Sequence, residues 1–160
     1  MPFYWLRFLF LRITAYYTMK PMQLDIEYDY GFTLFGVVSP IKDYKLAWAL
    51  NRLFNLHLVK QQDLCYDLQE KERLLISNYA HSTEHSIIRL FRNKAFGTQN
   101  LKKAFMLPDL KEFDYVLQVT GGMQQYHPQE FINRLIKSSM VQYVKQFDPL
   151  TLKFRENLIF

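Results

Sequence analysis

Apolar and polar residues alternate at the start of the patterned part of the chain. Leu24, Ile26, Tyr28 and Tyr30 fall on one side, and Asp25, Glu27 and Asp29 on the other. That two-residue period predicts a strand with one apolar and one acidic face. Gly31 marks a bend, and residues 32–38 form a more buried extended segment. Ser39-Pro40 is a helix-start signal, with Ser as N-cap and Pro at the first helical position. The helix runs to about Asn55, and Tyr44, Ala47, Trp48, Ala49, Leu50, Leu53 and Phe54 give it a broad apolar face. Residues 57–68 read as mostly extended, with Leu58 and Leu64 inward. Residues 72–79 and 85–91 read as two strands joined by the hairpin Ala80-His81-Ser82-Thr83-Glu84. Residues 93–105 are the least regular part, a loop with a short helical turn.

From Phe113 the alternation returns. Phe113, Tyr115, Leu117 and Val119 point one way and Asp114, Val116, Gln118 and Thr120 the other, a half-buried strand led in by Pro108 and ended by Gly121-Gly122. His127-Pro128 opens a second helix through about Ser138, with Phe131, Ile132, Leu135 and Ile136 on one side. Residues 140–147 form a last strand, Asp148-Pro149 turns the chain, and the tail ends in a short helix carrying Leu158, Ile159 and Phe160. The order is β-α-β-β-β followed by β-α-β. It predicts an α+β two-layer sandwich: a mainly antiparallel sheet with two helices on one face, a variant of the ferredoxin-like plan.

The stretch Leu107-Pro108-Asp109, three residues, then Phe113-Asp114-Tyr115 resembles the signature of the IPExxxVDY family, small proteins found mainly in Bacteroidota. Pro108, Asp114 and Tyr115 agree with the signature, whereas Leu107, Asp109 and Phe113 are conservative departures. Two further blocks, from Lys42 to Asn51 and from Leu152 to Phe160, are similar to the family, so the resemblance covers about residues 22–160. It implies a cytoplasmic protein and assigns no chemistry. If Tyr115 belongs to the core its hydroxyl needs a partner. Asp114 is then outward, available to a partner or to a basic neighbour. The structural reading of the signature is that Pro108, Asp114 and Tyr115 fix the start and register of a central strand.

A chain of 160 residues fits one domain. Half of it is hydrophobic, which suffices for one sizeable core. Five Gly and six Pro leave no flexible linker or low-complexity segment. The net charge is +5, but residues 1–18 hold Arg7 and Arg12 and no acid; without them 18 basic residues face 15 acidic ones, a mild +3. Those eighteen residues are aromatic and apolar, but the two arginines interrupt the run that a spanning helix of about twenty residues needs. No secretory cleavage pattern follows. Residues 1–18 are expected to be an over-extended start or a poorly ordered tail, and residues 19–160 the domain, with Met19-Lys20 an ordinary start. No integral membrane segment is expected.

Candidate chemistry is sparse. Asp25, Glu27 and Asp29 lie about 7 Å apart along a strand, a spacing that suits a solvated face discouraging edge pairing better than a cation site. His81 and His85 are four apart, the zinc-binding spacing on a helix, but they read as a hairpin tip. Gly121-Gly122 lacks the companions of a phosphate loop. The single Cys65 excludes an internal disulfide and reads as a small hydrophobe in or near a strand. Arg89, Phe91, Arg92 and Lys94, near Tyr79 and Phe96, give a basic-aromatic hairpin of the kind that can hold single-stranded nucleic acid. No nucleophile–base set, metal cluster or cofactor fingerprint emerges, and no cofactor is expected. The leading reading is a non-catalytic protein-interaction or regulatory module whose contact surface is the signature segment with the apolar tail Leu158-Ile159-Phe160. The alternatives are an RNA- or ribosome-associated protein using the basic hairpin, and a small-ligand sensor or enzyme with a site near Asp114.

Overall fold

The computed structural model describes residues 29–67, 73–96, 104–122 and 127–160. Among these residues the fold is α+β, with two α-helices and an antiparallel six-stranded sheet. Residues 1–18, and all of the expected first strand up to Tyr28, lie outside the described residues; Asp29 and Tyr30 are irregular. The Asp29 carboxylate accepts the Gly31 N–H at 2.8 Å, the side-chain turn expected of Asp before a bend.

The chain then runs through β1 (Phe32–Val38), α1 (Asp43–Phe54), β2 (Val59–Lys60), β3 (Leu64–Asp67), β4 (Arg73–Ile76), β5 (Asn78–Ser82), β6 (Ser86–Arg92), β7 (Tyr115–Gly121), α2 (Pro128–Ile136) and β8 (Tyr143–Phe147). The main sheet has the order β2-β5-β6-β7-β1-β8, and β3 pairs with β4 as a separate hairpin. All these pairings are antiparallel. Since β7 and β8 both run against β1, they are parallel to each other, and α2 bridges them over the inserted β1.

One core cluster joins Leu46, Ala47 and Leu50 of α1 and Phe131 and Leu135 of α2 to Phe35, Val37, Ile88, Leu90, Tyr115, Leu117 and Val119 of the sheet. The alternate positions Leu34, Phe91 and Val116 enter a second cluster, under Leu74 and Ile76 of β4, the 106–113 segment and the tail residues Leu152 and Leu158. The sheet is therefore covered on both faces, and the expected two-layer plan gains a further layer. Central β7 is buried on both sides rather than half-buried, and Phe113 joins the cluster opposite Tyr115 because the strand begins only at Tyr115.

Three local expectations are corrected. The first helix is not capped by Ser39. It starts at Asp43 after an extended Lys42, because Ser39 is drawn away by bonds to Asp114 and Met140. The expected strand over 72–79 is broken at Ser77, whose hydroxyl donates to the Asp43 carboxylate at 2.6 Å and whose carbonyl accepts the Arg92 N–H at 3.0 Å. The break sends β4 and β5 to different sheets. The hairpin turn lies at Thr83, Glu84 and His85, later than expected: Thr83 exchanges backbone and side-chain bonds with Ser86, and Ala80, His81 and Ser82 belong to β5.

Other signals hold. Asn55 ends α1 in the left-handed region at φ 52°, and Pro128 opens α2. Gly121 ends β7 at φ 80°, where a Cβ would stand 2.0 Å from the His85 carbonyl oxygen. No helix among the described residues is long and apolar enough to cross a membrane.

Candidate interaction surface

The signature residues are used inside the domain. Pro108 opens a 3-10 turn, Pro108–Leu110, after an extended Leu107, rather than leading straight into the strand. Asn93 organises this turn from a fully buried position. Its amide donates to the carbonyls of Leu110 (2.8 Å), Phe113 (3.1 Å) and Leu107 (3.4 Å), and its oxygen accepts the Leu107 N–H at 2.9 Å. The Asp109 carboxylate accepts the N–H groups of Lys153 (2.9 Å) and Phe154 (3.1 Å), which moors the tail. Asp114 is exposed, as expected, but its carboxylate accepts the Ser39 N–H at 2.9 Å. The Tyr115 hydroxyl donates to the Ile41 carbonyl, and burial pushes its pKa up to about 12. Asp114, just before β7, and Tyr115, its first residue, thus clamp the β1–α1 connection.

The tail is also spent on its own domain. Leu158 is 1 % exposed, and its carbonyl accepts from the buried Gln118 amide at 3.2 Å. Asn157 donates to the Met106 carbonyl at 2.8 Å and accepts from the Tyr66 hydroxyl at 2.8 Å. The Tyr66 pKa is pushed up to about 12 by burial. Phe160 stacks on Phe91 with ring centroids 5.2 Å apart, under the Arg89 guanidinium at 4.9 Å. Burial lowers the Arg89 pKa.

That geometry separates the residues of the basic hairpin. Phe91 is fully buried, with its ring already stacked, so it offers no base a platform. Arg92 pairs across the sheet with Tyr115 and therefore sits on the opposite face from Arg89, and Lys94 lies beyond the strand. His81 accepts the His57 N–H at 3.0 Å, while His85 sits in the turn. Among the described residues no group of three or more His, Cys, Asp or Glu side chains can hold a metal. Cys65 lies on β3 as expected, but exposed.

The feature missed by sequence reasoning is the outer row of α1. Tyr44 and Trp48 are 52 % and 54 % exposed. Successive residues four apart advance about 40° around a helix, which places Trp48 about 160° from both Leu46 and Leu50. Those two leucines are core, so Tyr44, Trp48 and Arg52 form the row facing away from it. The wheel angle was readable in the sequence, but the broad apolar face assigned to α1 absorbed both aromatics. Tyr44, Lys45, Trp48 and Met140 line one open, apolar hollow of about 510 Å³. A second hollow, of about 450 Å³, shares Trp48 and Met140 and adds Arg52, Lys137, Ser138 and Ser139. The Arg52 guanidinium sits 4.9 Å from the Trp48 ring centroid. Asp43, the neighbouring acid, is turned to Ser77 and to the Tyr44 N–H.

Met140 is fixed by the same connection that the signature clamps. Its carbonyl accepts the Ser39 hydroxyl, and its N–H donates to the Ser138 hydroxyl at 3.3 Å. Compared with protein-family models, curated proteins and solved structures, the chain gives no match.

Proposed function

We propose that this chain is a small, non-catalytic interaction module of the IPExxxVDY kind, built on a ferredoxin-like variant with both helices on one face. Its contact surface is the outer row of α1 with Met140. The observation that carries the reading is the exposure of Tyr44 and Trp48 around an apolar hollow, while the signature carboxylates and the apolar tail are engaged within the domain. Large aromatics set in an apolar surface beside arginine are the composition of energetic centres in protein interfaces. In this reading the signature acts at a distance: it holds the connection from which α1 and Met140 are positioned.

The test is affinity purification of the full chain from its native cells, wild type and Trp48→Ala in parallel, with and without nuclease. Trp48 is surface-exposed, so the variant is expected to fold with a stability change within about 0.5 kcal/mol. A stoichiometric protein partner that survives nuclease and is lost with Trp48→Ala supports the reading. A partner retained by the variant removes this surface from it. Recovery that vanishes with nuclease moves the assignment to RNA.

A further inference from the structure

The two hollows on α1 differ in chemistry, and the difference specifies an occupant. The first is walled by Tyr44, Trp48 and Met140; the second adds Arg52, Lys137 and two serine hydroxyls. Lys45 stands at the rim of the first. Three cations and no acid line the pair, and the adjacent Asp43 carboxylate is held by Ser77. Neither the Lys60–Asp63 ion pair nor the His85–Glu84 contact involves any of these three cations.

Resting on the interaction-module reading above, we infer that this surface takes a linear peptide segment of another protein that carries an apolar anchor followed by acidic residues. The anchor enters the Tyr44–Trp48–Met140 hollow, and the carboxylates lie against Arg52, Lys137 and Lys45. Charge complementarity is the argument for an acidic partner: among the described residues lining the two hollows, three are cations and none is an acid, and carboxylates set beside them supply the complementary potential. Anchor and acid must lie close in sequence, because the hollows share Trp48 and Met140 as a common wall. Both hollows are open to solvent, which suits side chains projected from a chain lying across them better than an engulfed small molecule. Met140 supplies an unbranched, adaptable wall of the kind found where a surface accepts varied apolar anchors.

The chain has two tryptophans, so Trp5→Phe in the full chain leaves Trp48 as the sole reporter. A displayed random-peptide library is selected against this protein. Enriched peptides are synthesised with a fluorescent label and titrated by anisotropy against wild type and variants, with Trp48 fluorescence as a second readout where Trp48 is present and a labelled single-stranded oligonucleotide alongside. The expected result is a consensus of one aliphatic or aromatic residue next to acidic residues. Binding should weaken at least about thirtyfold with Trp48→Ala. It should weaken about tenfold when Lys45, Arg52 and Lys137 are together changed to Glu, and it should fall with added salt.

Trp48-dependent peptides that lack acids, or that ignore the charge reversal, overturn the acidic-partner inference and leave the interaction reading standing. Selection of no Trp48-dependent peptide overturns both. Oligonucleotide binding tighter than any peptide overturns the inference in favour of nucleic acid. Trp48 already shielded from acrylamide before any ligand is added overturns it in favour of the chain's own residues as the occupant.

Discussion

Changing Asn93 to Ala tests the claim that one buried amide holds the signature turn. Asn93 is fully buried and makes four side-chain bonds to the backbone of the 107–113 segment. Two of its acceptors have a second donor: the Leu107 carbonyl accepts the Leu110 N–H, and the Leu110 carbonyl accepts the Phe113 N–H, each at 2.9 Å. The serious losses are therefore the acceptor of the Leu107 N–H and the donor to the Phe113 carbonyl. Each buried group left without its partner costs about 1–3 kcal/mol, so the substitution should destabilise the domain by about 4 kcal/mol. Domains of this kind hold about 5–15 kcal/mol in total. With a urea slope of about 2 kcal/mol/M for a chain this size, the unfolding midpoint should drop by about 2 M at unchanged slope. Asn93→Asp sharpens the test. A carboxylate can still accept the Leu107 N–H but donates to no carbonyl and carries a buried charge, so it should be no better than Ala. A loss below about 1 kcal/mol in Asn93→Ala, or a near-native Asn93→Asp, would refute the assignment.

Gly121→Ala places a Cβ 2.0 Å from the His85 carbonyl oxygen on a backbone at φ 80°; a loss of at least about 2 kcal/mol is expected in chemical denaturation, and a neutral outcome would show that the β6–β7 end is free to shift. Deleting residues 158–160 removes a fully buried leucine and a stacked phenylalanine and should lower stability by about 3–5 kcal/mol; retained stability would mean that the tail does not pack on the sheet. Tyr66 and Tyr115 are pushed from 10 up to about 12 in the folded state, so the native protein binds more protons than the unfolded chain between those values. Their contribution is fully present below pH 10 and is lost as pH rises through about 12; replacing both by Phe should flatten that alkaline decline in denaturation midpoints, and an unchanged slope would count against the buried hydroxyls.

Elements specified by local chemistry were legible. Residues 32–38 form β1, Pro128 opens α2, Gly121 ends β7, and the segment to Phe147 is a strand. What failed depends on partners far away in sequence. Ser77 breaks the strand expected over 72–79 because Asp43 and Arg92, 34 and 15 positions distant, take its hydroxyl and carbonyl. Ser39 carries a good capping signal that is overridden by Asp114, 75 positions on. Gln118 and Thr120 made β7 look half-exposed, yet Gln118 is buried because its amide pairs with the tail. A polar residue whose partner lies across a layer gives no local sign of it, and Asn93 is a loop asparagine like any other until the turn it fills is seen.

The same reasoning bears on the two readings of the signature residues, structural and interacting. A carboxylate next to a tyrosine at the start of a central strand has two uses: to meet a ligand, or to satisfy backbone groups. Here Asp114 and Tyr115 meet the N–H of Ser39 and the carbonyl of Ile41, the stretch that joins β1 to α1 without regular bonds of its own. Ser39 passes the constraint on through its hydroxyl to the Met140 carbonyl, and Gln142 donates to the Val38 carbonyl beside it at 2.9 Å. One strand end, one connection and the α2–β8 turn are thereby fixed relative to one another. The residues left over at that junction are Tyr44, Trp48 and Met140, which the core does not take. On the interaction reading proposed above, this bonded junction presents the two aromatics as a preorganised patch, and preorganisation lowers the ordering cost that binding must overcome.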